Sequence, residues 1–441
     1  MKTRTYNNTL LSRIILVMIA FALLLSTVII SLSARQAHAA PTIEVTTFAG
    51  TASTVGYVDG PASSAQFNYP HDIAFDAAGT MYVVDTSNNR IRAISPSGVV
   101  STFAGSGVAG GADGVGTAAE FSSPHSIAIN PTTGIMYVTE ASLEPSNHTP
   151  RVRAITPTGV VTTLAGSGVP GLADGTGTAA QFFFPTGIAV NANTGMIYVA
   201  DSYAHSIRAI TPAGVVTTIA GFDDILDVAA APNGGYADGT GTAARFSYPQ
   251  GIDVGGDGMI YVAEFGGHRI RTVTPTGVVT TIAGNGVAGY ADGTGTAAQF
   301  NSPTGVVVDP SGTIYIADSF NNRIRAITPA GVVTTIAGTG TAGSVNGAGE
   351  VAQFNAPTGI VLNSAGDLFI TDTYNQLIRQ ITINTPTPTG DSDSGGAAIP
   401  GAPNAGSGAQ LNTLAVLAIT GVLLALITLV MSRKRSMYRG K

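Results

Sequence analysis

Three observations predict an all-β, six-bladed propeller. A Phe-centred motif recurs six times, each copy holds short apolar runs suited to four strands, and an extra unpaired strand precedes the first copy. The marker Phe stands at 67, 121, 182, 246, 300 and 354, so successive copies lie 54, 61, 64, 54 and 54 residues apart. A repeat of about 55 residues accommodates four short strands, which is one propeller blade. The composition agrees, with 56 Gly, only 10% charged residues and no Cys among 441 residues. Such a chain favours strands joined by tight turns, around a core large enough to hold without disulfides.

The chain opens on a segment that reads as a secretion signal, residues 1–39. Lys2, Arg4 and Arg13 give it a basic start and residues 14–32 an apolar run. Ala37-His38-Ala39 places small residues at the −3 and −1 positions of a cleavage site. The propeller is predicted over residues 43–383. In the fifth copy, residues 305–309, 313–318, 323–328 and 332–337 are strands, with Pro310-Ser311-Gly312 and Pro329-Ala330-Gly331 as turns. The first copy is preceded by residues 43–49, I-E-V-T-T-F-A, and the sixth lacks a fourth strand. The N-terminal strand is therefore predicted to lie beside residues 377–382 and complete the last blade, which closes the ring.

Residues 384–410, rich in Pro, Gly and Ser, read as a disordered tether. Residues 411–431 are 21 in a row without charge, long enough to span a bilayer, and Arg433, Lys434, Arg435, Arg439 and Lys441 follow in a basic tail, residues 432–441. That asymmetry predicts a single-pass membrane protein with its propeller extracellular and its C-terminus cytoplasmic. Within the tether, Ala402-Pro403-Asn404-Ala405-Gly406 resembles the sortase signal L-P-x-T-G with Leu and Thr both replaced by Ala, so the helix is the predicted anchor. Between residues 40 and 410 there are 11 Arg and no Lys against 26 acids, a net charge of −15. Such a surface repels phosphate backbones and excludes nucleic acid as a partner.

The repeat unit resembles the NHL repeat. Its pattern, roughly P-x-G-I-A-V-D, I-Y-V-A-D and N-x-R-I-R, matches residues 303–308, 314–318 and 321–325 in the fifth copy. The resemblance implies a monomeric propeller whose repeated polar residues serve the fold. Each second strand ends in an acid (Asp85, Glu140, Asp201, Glu264, Asp318, Asp372) and each third strand carries an Arg (Arg92, Arg153, Arg208, Arg271, Arg325, Arg379). A group present in every copy is read as a structural ion pair at the blade boundaries. Asp59, Asp113, Asp174, Asp238 and Asp292 precede Gly, with Asn346 in the sixth copy. One carboxylate per loop is too few for calcium, so these residues are read as turn formers that cap their own backbone. His205 and His268 fall at the N-x-R position and are read as structural.

Candidate site residues come from places where the copies differ. The loops enlarged in the second and fourth copies, residues 141–150 and 222–235, both fall on one face, defined here as the top, and insertions on one face of an array commonly build its binding side. Tyr203, Phe320 and Tyr374 occupy loops of that face and supply aromatic surface. At the mouth of the central channel the residue after the pre-strand Pro is His71, His125, Thr186, Gln250, Thr304 and Thr358 in turn. Pro70-His71-Asp72-Ile73 and Pro124-His125-Ser126-Ile127 resemble the zinc-ligand motif of the peptidyl-hydroxyglycine lyases, which take such a His from each of three blades. Only two are present here, so no cofactor is expected, and zinc or another divalent metal at His71 and His125 is the alternative. The predicted function is a non-enzymatic, surface-displayed binding module whose top face holds an extracellular protein, peptide or glycan. The alternative is a metal-dependent lyase or hydrolase at the channel mouth.

Overall fold

The computed structural model describes residues 42–142, 149–221 and 234–384. They form six antiparallel sheets, one per sequence copy. In the fifth blade the strands are Pro303–Val308, Ile314–Asp318, Arg323–Ile327 and Val332–Ala337, from the channel outward. A two-residue strand, Gly293–Thr294, is added on the outer edge by pairing with Val332–Ala337. This fifth strand was not foreseen, and every blade has its counterpart. Neighbouring inner strands touch all the way round, and Pro357–Leu362 meets Pro70–Phe75 to close the circle.

The last blade is completed as the sequence predicts. Thr42–Ala49 lies antiparallel to Leu377–Asn384, with Glu44 opposite Thr382 and Val45 opposite Ile381. Val45 is buried in the core shared by blades five and six, so closure buries apolar surface as well as pairing an open edge. The signal segment 1–39, residues 385–410 of the tether, the proposed span 411–431 and the tail 432–441 lie outside the described residues. Among the described residues no helix is long and apolar enough to cross a membrane.

The core is a set of wedges, one between each pair of neighbouring blades. The marker Phe fills each wedge: Phe300 packs with Ile270 and Ala283 of blade four and with Ile316 and Val333 of blade five. Over each Phe lies the repeated Arg. Arg325 Cζ is 5.2 Å from the Phe300 centroid, close enough for a cation–π contact. Its Nη1 donates to Asp318 Oδ2 at 2.8 Å and to Gln299 O at 3.1 Å, and its Nη2 donates to Asp292 Oδ1 at 2.7 Å and to Ala291 O at 2.9 Å. The guanidinium thus ties the second strand to the segment that enters the blade.

That geometry corrects one expectation. The Asp residues before Gly do not cap their own turns; each is the outer acid of an Arg fork. Asp292 also accepts from Thr335 N at 3.4 Å and Thr335 Oγ1 at 3.2 Å, which anchors the fourth strand. Proximity in sequence suggested a local cap, whereas an unpaired guanidinium in a low-dielectric wedge is by far the stronger partner for a carboxylate. In blade six the outer position is Asn346, which still accepts from Arg379 Nη2 at 2.7 Å.

Candidate functional site

The top face is built from two turns per blade. In blades one, three, five and six the second strand is followed by a single 3-10 turn, and the residue after it, Asn89, His205, Asn322 or Gln376, adopts the left-handed conformation; in blade four His268 does the same at the end of a plain turn. The side chain of this left-handed residue accepts an N–H from the residue just before the next blade's inner Pro. Tyr248 N donates to His205 Nδ1 at 3.1 Å, Ser302 N to His268 Nδ1 at 3.0 Å, and Ala356 N to Asn322 Oδ1 at 2.9 Å. His205 and His268 are therefore blade-to-blade staples, as their position in the repeat suggested. Burial pushes the His205 pKa down to about 4, so at neutral pH Nδ1 is free to accept.

The stapled residues also hold positive φ, and two are Tyr: Tyr69 at 53° and Tyr248 at 49°. A bulky side chain is uncommon in that region, and the staples hold these rings on the top face despite the backbone cost. Around the channel mouth the rings touch in sequence. His71 lies against His125 at 3.7 Å with the rings tilted by 52°, His125 approaches Phe184 at 6.1 Å, Phe184 meets Tyr203 at 4.8 Å, and Tyr203 meets Tyr248 at 5.2 Å. Two further edge-to-face pairs lie on the same face: Phe265 with Phe320 at 5.4 Å and Tyr69 with Tyr374 at 5.5 Å. Phe320, Tyr374, Tyr69 and Tyr203 are 54%, 52%, 44% and 37% exposed, so aromatic surface is presented on several blades at once.

The three predicted threonines sit differently. Thr186, Thr304 and Thr358 are buried, and each hydroxyl donates to the carbonyl of the matching residue in the next blade: Gln250 O at 3.2 Å, Thr358 O at 3.2 Å and His71 O at 2.8 Å. They fasten inner strand to inner strand. The close approach also explains the following Gly, because a Cβ at Gly187 would stand 2.1 Å from Gln250 O. Gln250 does line the channel, and its Oε1 is buried without a hydrogen-bond partner.

His71 and His125 do come together, with burial holding His71 at about 4 and His125 well below the ordinary imidazole value. Both are neutral near pH 7. A centroid separation of 3.7 Å is nevertheless too short for a chelate, since two imidazoles on one tetrahedral zinc hold their centroids roughly 5 Å apart. Among the described residues no three His, Asp or Glu side chains converge as metal ligands. As placed, the pair does not fit a zinc ion.

Below the mouth the channel is a cavity of about 250 Å³ lined by all six inner strands. Two carboxylates face it, Asp72 on blade one and Asp253 on blade four. Asp72 accepts from Ile73 N at 2.9 Å, Ile127 N at 3.1 Å and Ser126 Oγ, and Asp253 accepts from Val308 N at 2.8 Å. Burial raises both to about 6, against those hydrogen bonds. The signal that marks them is positional: Gly stands at the Asp72 place in four copies, and Ala or Val at the Asp253 place in the other five.

Residues 67–94, 182–210, 300–327 and 354–381 match the sequence profile of the NHL repeat. The chain is similar to the chloroplastic protein SUPPRESSOR OF QUENCHING 1 of Arabidopsis thaliana, 30% identical over 63% of this chain and 26% of that one. It is also similar to NHL repeat-containing protein 2 of Bos taurus, 26% identical over 72% of this chain and 47% of that one. The chain thus spans from a quarter to about half the length of these relatives. Among solved structures, an auxiliary nutrient binding protein of Bacteroides thetaiotaomicron superposes with a TM-score of 0.59 at 22% identity, covering 78% of this chain and 77% of that one. A similarly described protein of Bacteroides ovatus gives 0.57 at 20% identity, with coverage of 78% and 77%. At such identities these structures share the fold alone.

Proposed function

Because the chain is an NHL-repeat β-propeller, we propose that it is a binding module, displayed outside the cell by the apolar segment at residues 411–431 and holding a protein, peptide or glycan on its top face. The observation that carries the proposal is the set of exposed top-face rings, Tyr69, Tyr203, Phe320 and Tyr374, each packed edge to face on a neighbouring ring, with staples that position Tyr69 and Tyr248 at left-handed backbone. Rigid rings on a pre-formed face lose little conformational entropy on binding, and they suit the CH faces of sugars or the apolar side chains of a peptide. The nutrient binding described for the two Bacteroides proteins is compatible with this role. The alternative, a metal-dependent lyase or hydrolase, requires His71 and His125 to move apart from their present contact.

Glycan and peptide arrays probed with the full-length chain test the proposal, beside the triple change Tyr203→Ala, Phe320→Ala and Tyr374→Ala. Binding to a defined class that is lost in the triple variant is the expected result. Binding that survives all three substitutions would move the site away from the aromatic face.

A further inference from the structure

We propose that the central channel is a second, separate site that takes an alkylammonium group, admitted past the His71–His125 pair and held between Asp72 and Asp253. Four observations converge on this chemistry. The cavity, at about 250 Å³, has room for several water-sized groups, since a water occupies roughly 30 Å³ of liquid. Its titratable lining consists of His71, His125, Asp72 and Asp253. Among the described residues neither acid has a cationic partner; every Arg–carboxylate pair involves the acids of the repeated forks. The remaining polar group without a partner there, Gln250 Oε1, is another acceptor.

A partly buried carboxylate without a counter-charge is costly, so a site with two of them and an orphan acceptor is complementary to a donor-rich cation. Blades one and four are opposite one another in a ring of six, so the two acids face the channel from opposite walls. Above them, the aromatic mouth favours an organic cation through its ring faces. A divalent metal is a poorer fit, because hard cations want several oxygens converging at about 2.0–2.6 Å and no such group forms among the described residues. The net charge of −15 outside residues 1–40 and 411–441 draws cations towards the domain from a distance.

Pentylamine and its neutral counterpart pentan-1-ol, titrated calorimetrically into the full-length chain in detergent at about pH 7.5, make the test; the acids are then ionised and the amine protonated. The amine should bind and the alcohol should not. The double change Asp72→Asn and Asp253→Asn should weaken amine binding at least about tenfold, the scale of one lost charge-assisted contact. If the variant fails to fold, the unmodified chain at about pH 5 gives the same answer: both acids become largely neutral while His71 stays uncharged, and binding should fade. Equal binding of the alcohol, no loss on neutralising the acids, displacement by equimolar Ca²⁺ or no binding at millimolar amine would each overturn the proposal. The triple aromatic variant should retain amine binding if the channel is separate, so failure of the channel site and failure of the top-face site are distinguishable.

Discussion

Replacing Arg325 with Met removes the centre of one fork and leaves its volume filled. Arg325 and Asp318 are both fully buried, so the substitution strands a carboxylate in the wedge between blades four and five. Asp318 keeps two donors, Asn301 N and Asn321 Nδ2, each at 2.8 Å, but loses its counter-charge. Gln299 O loses its side-chain donor as well, while Ala291 O keeps Gln299 N at 3.0 Å. Breaking a buried ion pair by removing one partner costs about 3–5 kcal/mol, the loss expected here. Urea unfolding followed by circular dichroism measures the loss. Asp292→Asn is the internal control: Asp292 is 46% exposed, and blade six already uses Asn346 at that place, so the cost should stay under about 1 kcal/mol. A loss below about 1 kcal/mol for Arg325→Met would refute the view that the forks hold the blades together, as would equal losses for the two variants.

Two further outcomes follow from the same geometry. Glu44→Cys with Thr382→Cys, introduced into a chain that has no Cys, should oxidise to a single intramolecular disulfide visible by mass and gel mobility, because the two residues face each other across the closing strand pair. The bond should raise the urea midpoint, and failure to form it would contradict closure through Thr42–Ala49. His205 lies low, at about 4 in the folded protein against about 6.5 unfolded. Its contribution is complete above about pH 6.5 and is lost as the pH falls towards 4, because protonation removes the acceptor for Tyr248 N. His205→Asn, the residue type that blades one and five carry there, should flatten that part of the stability–pH curve; an unchanged slope would count against the staple.

Much of this architecture was legible because it repeats. Strand positions in the fifth copy agree with the structure within about two residues, the usual uncertainty of element ends. The closing strand was legible from an unpaired strand at one end and a missing one at the other. What escaped is what sequence distance conceals. The Gly293–Thr294 strand is two residues long and carries no periodicity. Asp292 finds its guanidinium 33 residues away, so its local turn signal misled. Tyr203, Phe320 and Tyr374 stood out in the loops, whereas Tyr69, Phe184, Tyr248 and Phe265 join them only when neighbouring blades are set side by side. The hydroxyls of Thr186, Thr304 and Thr358 were read as facing a ligand because the register between inner strands is invisible in one dimension.

The most direct test of the binding role is hydrogen–deuterium exchange with and without the ligand that the arrays identify. Protection should concentrate on the top-face turns Ser202–Ala204, Ser319–Asn321 and Thr373–Asn375, with the opposite turns around Gly79 and Gly312 unchanged. Protection confined to those opposite turns, or to the outer strands, would contradict the account.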